Sequence, residues 1–213
     1  ENTASVVRSY LEHGLSHLAQ PLRLYYLAPM YRYEQPQEGR MREFYQLGFE
    51  ILGGNSDAIY DAQAILVYYR FLQELKIDKL NLHIHTVGCK NCRPLYRKKL
   101  LDYYKNQPAC KTCKKRLSAN PLRVLDCKEK SCEAIKKGAP IMLDTICNYC
   151  SGHFKLVLEY LDELQLSYII DNYLVRGLDY YNRTVFEIFA EGFDFALAGG
   201  GRYDYLGEIL GNR

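Results

Sequence analysis

Residues 32–50 collect side chains complementary to a charged ligand that carries a flat ring: Arg32, Glu34, Arg40, Arg42, Phe44, Gln46 and Glu50. Guanidinium forks pair with phosphate or carboxylate oxygens, an aromatic face stacks on a ring, and carboxylates receive an amino group. Side chains alternate along a strand, so over 43–52 Phe44, Gln46, Gly48 and Glu50 share one face. Tyr45, Leu47, Phe49 and Ile51 share the other, which reads as core. The preceding strand sets Arg32 and Glu34 together, with Tyr31 and Tyr33 opposite. If the polar faces coincide, Arg32, Glu34, Phe44, Gln46 and Glu50 form one floor, with Arg40 and Arg42 on the connecting loop. A solvated sheet face is the plain alternative. Gly48 argues against it, since glycine weakens a strand unless something must approach closely.

A second group lies in LVRGLDYYNRTVFE (174–187), where Arg176 sits beside Gly177 and precedes Tyr180 and Tyr181. Gly177 lets the backbone bend there, and the two phenols offer hydroxyls on stiff rings. Taken alone, a tyrosine pair in a chain with 20 tyrosines is better accounted for by core packing. GGGRYD (199–204) either lets backbone approach a ligand or makes a tight turn. It is not a dinucleotide fingerprint, because no alternating β–α pattern surrounds it.

The eight cysteines form a third group, Cys89-x2-Cys92, Cys110-x2-Cys113, Cys127-x4-Cys132 and Cys147-x2-Cys150. Two close pairs can present four thiolates to one tetrahedral zinc ion, and four pairs can hold two ions. The spacing leaves open which pairs combine, and unligated thiols and disulfides remain alternatives. His85 and His153 are the histidines near these pairs, too few for a catalytic ion. The same block is basic. From Thr86 to His153 there are fifteen Lys and Arg against five Asp and Glu, leaving thirteen basic and twenty acidic residues elsewhere. Such a block suits a polyanionic partner, or is a Lys-rich soluble surface.

Hydrophobic periodicity supplies the elements that must position these groups. It predicts helices over 5–18, over 57–75 with Ser56 as cap, and over 152–166, where the chain returns to the body. Strands are expected over 22–34, 43–53 and 80–87 and on either side of the Arg176 stretch, with a glycine loop and a helix in 196–210. A loop of eight residues between the first two strands makes an antiparallel hairpin. The fold class is therefore α+β, an antiparallel sheet flanked by helices with a small cysteine-rich inserted domain. Residues 1–85 and 167–213 form the body and 86–166 the insertion. The 48% hydrophobic, 25% charged composition is that of a globular chain. No apolar run approaches the roughly 18 residues of a membrane span, and no signal peptide is visible. Glu1 in place of an initiating Met makes the chain read as a piece of a longer one.

MYRYEQPQEGRMREFYQLGFEILG (30–53) resembles motif 2 of class II aminoacyl-tRNA synthetases in its histidyl form. LVRGLDYYNRTVFE and AGGGRYDYL (198–206) resemble the two histidine-specific signatures of the histidyl-tRNA synthetase family. ENTASVVRSYLEHGL (1–15) resembles the segment ahead of motif 2, and KRLSANPLRVLDCK (115–128) the insertion of bacterial members. The resemblance implies that Arg32 and Arg176 serve catalysis from opposite sides of the ATP α-phosphate, Arg32 also touching the histidine carboxylate. Glu34 would meet the adenine amino group, Phe44 would stack on adenine, and Arg40 and Arg42 would hold the terminal phosphates. Glu1, Thr3, Gln46 and Glu50 would bind the histidine amino group and its neighbours, and Tyr180 and Tyr181 would border the imidazole. ATP with Mg2+, histidine and tRNA(His) are the implied substrates, in a cytoplasmic homodimer whose insertion lies along the acceptor stem. The family's motif 1 would precede Glu1, and motif 3 and the anticodon-binding domain would follow Arg213. The 213 residues alone are therefore expected to bind ligands weakly and to aminoacylate poorly. Two rival readings are a synthetase-like regulator without catalysis and a zinc-containing RNA-binding module.

Overall fold

The computed structural model describes residues 2–33 and 41–211. Glu1, Glu34 and Arg40 lie outside them. After α1 (Thr3–Glu12), strands β1 (Leu22–Tyr31) and β2 (Glu43–Leu52) pair antiparallel, with Met30 opposite Phe44 and Ala28 opposite Gln46. Helix α2 (Ile59–Glu74) leads to β3 (Leu80–Thr86) and the cysteine-rich region, with α3 (Cys92–Tyr104), α4 (Lys111–Ala119) and α5 (Lys130–Lys137). Helix α6 (Asn148–Glu163) returns to β4 (Tyr168–Ile170), β5 (Asn182–Ala190), β6 (Ala198–Arg202) and a short α7 (Leu206–Ile209). The second sheet runs β4-β3-β5-β6 and is antiparallel except for the short β4, which lies parallel to β3. That exception follows from connectivity, since the cysteine-rich region and α6 make a crossover between the two strands.

The main core is built by α2, α6 and this sheet. Phe154, Val157 and Leu161 recur at helical spacing and meet Ala62, Ile65 and Leu72 of α2 over Leu82, Ile84, Phe186 and Ile188. Burying each such side chain is worth ~1.5–3 kcal/mol. Helix α6 therefore packs with the body. A separate cluster of Tyr96, Leu100, Val124, Cys113, Cys127 and Cys132 forms inside the cysteine-rich region.

Three local expectations are corrected. Ser56 does not cap α2: Ala58 holds that position, Asp57 Oδ1 accepts from the Ile59 N–H at 3.1 Å, and Ser56 Oγ meets Tyr149 Oη at 2.9 Å. The glycines at 199–201 are strand, not loop. In the hairpin, the face with Gly48, Glu50 and Leu52 is the enclosed one, and Tyr45 on the supposed core face is 74% exposed. Helix α2 covers only the far end of that outer face, where Phe49 packs edge-on against Tyr68 and Phe71.

Candidate functional site

The enclosed face of the hairpin borders an open cleft of ≈ 2190 Å³ that also extends around to Tyr45, Leu47, Phe49 and Ile51 on the outer face. Thr3, Arg32, Phe44, Gln46, Glu50, Arg176 and Tyr181 all line it. Alternation explains why one strand supplies three of them, and the register adds Arg32, whose N–H donates to the Arg42 carbonyl at 2.8 Å. The Arg32 guanidinium lies 3.9 Å from the Phe44 ring centroid, so the two form a stacked charged and aromatic wall. Arg42 itself is exposed, and its backbone carbonyl is tied to the Arg32 N–H.

Glu50 is buried and sits between two donors. Thr3 Oγ1, at the start of α1, donates to Oε1 at 2.7 Å, and Tyr203 Oη donates to Oε2 at 2.5 Å. Burial, reinforced by Glu50, pushes the Tyr203 phenol far up, so it stays a proton donor. Arg176 pairs with Glu187 on β5. Its guanidinium lies where a Gly199 Cβ would approach to 2.9 Å, so the glycine on β6 leaves room for it. Arg32 Nε, Gln46 Oε1 and Arg176 Nε are buried and make no hydrogen bond among the described residues. Three unsatisfied polar atoms on one cleft are the pattern a polar ligand answers.

Tyr181 is buried among Val87, Leu174 and Val185, while Tyr180 packs against Tyr181 and Tyr203 and is not among the lining residues. Gly48 makes room for a side chain of the protein rather than a ligand, since a Cβ there would fall 2.0 Å from the Tyr26 ring. Gly177 has no atom near its Cβ position and no left-handed φ, so the turn does not require glycine.

Elsewhere on the cleft lining, Asp61 of α2 accepts from Thr184 at 2.6 Å and from Arg202 at 2.9 Å. Arg202 also donates to Asp204 at 2.7 Å, and Asn182 to Asp204 at 2.8 Å. Burial raises the Asp61 pKa against the pull of Arg202 and Thr184. This network, Glu187 and Tyr203 were not singled out from sequence. Tyr203 stood in a quoted motif, but its partner Glu50 lies 153 positions away.

The cysteines divide by position. Cys89, Cys92, Cys147 and Cys150 form one group and Cys110, Cys113, Cys127 and Cys132 another, each able to hold a metal ion. None is disulfide-bonded. Among the described residues no helix is long and apolar enough to cross a membrane.

Comparison with known proteins bears on the family and the fold. A family model described as histidyl-tRNA synthetase matches residues 1–213. A histidine–tRNA ligase of Desulforamulus reducens is 47% identical over 99% of this chain and 51% of its own length. One from Pelotomaculum thermopropionicum is 46% identical over 99% and 50%. The crystal structure of apo histidyl-tRNA synthetase from S. aureus superposes with TM-score 0.77 at 33% identity, covering 100% of this chain and 52% of that one. The chain thus spans about half the length of the curated relatives it matches.

Proposed function

The chain belongs to the histidyl-tRNA synthetase family, and on that premise we propose that it is the part of a histidine–tRNA ligase that activates histidine with ATP. One observation carries the reading: Arg32, Gln46, Glu50 and Arg176 line a single cleft. Glu50, accepting from Thr3 and Tyr203, receives the amino group of histidine, and Gln46 completes its hydrogen bonds. Tyr181 borders the imidazole. Phe44 stacks on adenine beneath the Arg32 guanidinium, Glu34 meets the adenine amino group, and Arg40 and Arg42 hold the terminal phosphates. Glu1 and Tyr180 complete the histidine end as the resemblance assigns them.

ATP enters as its Mg2+ complex. The histidine carboxylate attacks the α-phosphorus, the bond to the bridging oxygen breaks, and pyrophosphate leaves, giving histidyl-adenylate. Arg32 and Arg176 stabilise the charge that develops on the α-phosphate oxygens, and no side chain acts as nucleophile. Histidine then passes to the terminal ribose of tRNA(His), whose phosphates meet the basic insertion between β3 and α6. Structural zinc belongs in that insertion. The working protein is a cytoplasmic homodimer, and the 213 residues alone bind these ligands weakly.

Pyrophosphate exchange in a protein of the relatives' full length tests the reading. Exchange should depend on histidine, and Glu50→Gln should lower kcat/KM for histidine about 10- to 100-fold, the loss of one charge-assisted bond. Gln keeps one acceptor oxygen, and the hydroxyl that meets its NH2 can turn to accept instead, so the fold should be retained. Absence of histidine-dependent exchange would instead favour a regulator or a zinc-containing RNA-binding module.

A further inference from the structure

We propose that the two cysteine groups are separate tetrathiolate zinc sites with different duties. The one at the stem of the insertion positions segment 179–183 of the cleft wall, acting through Arg93. The inference rests on the zinc reading above and deepens it.

Within each group the four sulfurs lie within 4.8 Å of one another. A tetrahedral ion with Zn–S bonds of ~2.3 Å sets sulfur–sulfur edges of about 3.8 Å. The observed Cys89–Cys92, Cys92–Cys150 and Cys110–Cys127 separations are 3.6, 4.0 and 3.9 Å. Backbone N–H groups point at these sulfurs: Cys147 to Cys92 at 3.1 Å, Cys113 to Cys110 at 3.4 Å and Cys110 to Cys132 at 3.4 Å. That donor pattern suits sulfur carrying negative charge.

The stem group joins the two ends of the insertion at their root. Cys89 and Cys92 follow β3, and Cys147 and Cys150 open α6; β3 and α6 both belong to the main core. The loop is shaped for this: Gly88 has φ +65°, and a Cβ there would lie 2.7 Å from the Cys92 Cβ. From this root two links run to the cleft wall. The Arg183 N–H donates to the Gly88 carbonyl at 2.8 Å. Arg93, next to Cys92 and anchored by its own N–H on the Cys89 carbonyl at 3.1 Å, donates through Nη1 to the Asp179 carbonyl at 2.8 Å and the Tyr181 carbonyl at 3.0 Å. Arg93 is thus a positioning residue for Tyr181. The tip group instead lies in the insertion's own cluster, where three of its cysteines pack with Tyr96, Leu100 and Val124. A unit of this size needs a staple to hold so small a core. The tip touches the cleft wall differently, through Tyr173 and Val175 and through Asn120, which donates to the Asp179 carboxylate.

The test counts zinc by native mass spectrometry and follows hydrogen exchange across 179–183 in the intact chain. Two ions per chain are expected, falling to one in Cys89→Ser/Cys92→Ser and to one in Cys110→Ser/Cys113→Ser. Exchange across 179–183 should rise about tenfold in the stem variant and also in Arg93→Gln, which keeps both ions and all cysteines. The tip variant should loosen 104–142 and release the Asn120 bond to the Asp179 side chain, while leaving 180–183 protected. Fewer than two ions would sink the zinc reading itself. Two ions with unchanged exchange in Arg93→Gln, or equal loosening of 180–183 by the tip variant, would sink the division of duties while leaving the zinc reading intact.

Discussion

His85 is 2% exposed, and its Nδ1 makes no hydrogen bond among the described residues. Burial lowers its pKa from 6.5 to about 4, against the opposing pull of Asp171. The unfolded chain therefore takes up the proton first, so the stability this neutral imidazole allows is present above pH 6.5 and lost as pH falls toward 4. Between pH 7 and 5 the loss should be about 2 kcal/mol from His85 alone. His153, lowered to about 4 by burial and then by Arg202, adds in the same direction. Urea midpoints at the two pH values measure this, and His85→Leu should flatten the dependence; an equally steep dependence in the variant would exonerate His85. Neither histidine's titration was visible in the sequence, because burial depends on which helix covers β3. Phe44, Gln46 and Glu50 could be grouped in advance, since parity along one strand needs no tertiary information. The role of Tyr203 could not be, because its contact with Glu50 depends on how the two sheets meet.

The elements themselves were largely readable, while the faces they bury were less so. Helices α2 and α6 carry apolar residues at a 3.6 period, and the hairpin follows from alternation across a short polar loop. The outer hairpin face is not core throughout although Tyr45, Leu47 and Phe49 are apolar: α2 packs on Phe49 and meets Arg23, while Tyr45 stays exposed. Strand β6 was hidden by its composition, since three glycines in five residues read as a loop. Its glycines are there for space. A Cβ on Gly201 would lie 2.7 Å from the Thr184 carbonyl oxygen and 2.9 Å from Val185 Cγ1, both on β5. Backbone cannot yield as a flexible side-chain tip can, so Gly201→Ala should cost about 1–3 kcal/mol. In a chain of this length that lowers Tm by roughly 3–10 °C. Gly177→Ala meets nothing within 4 Å and should leave Tm within about 2 °C. Equal melting of the two variants would mean that β6 can separate from β5 without penalty.

At the scale of the whole molecule, charge is divided between two parts. The cysteine-rich block has fifteen basic against five acidic residues, and the rest has thirteen against twenty. Each tetrathiolate zinc site carries a net charge of about −2, so two filled sites would leave the block at about +6. The body repels a polyanion at long range while the insertion attracts it, which orients an approaching polyanion before any contact forms. This asymmetry was plain from sequence; its placement was not, since it depended on the insertion packing Tyr173 and Val175 into its own cluster and so lying against the cleft wall. Lys114 and Lys115 of α4 are exposed. If they meet backbone phosphates of tRNA, each contributes ~0.7–0.9 to the slope of log K against log salt. Changing both to Gln should lower that slope by about 1.5 between 50 and 200 mM salt, by fluorescence anisotropy of labelled tRNA. Gln at Arg8 and Arg70, exposed on the body, should leave the slope unchanged. The reverse pattern would put the RNA on the body's face and leave the basic insertion with a partner of another kind.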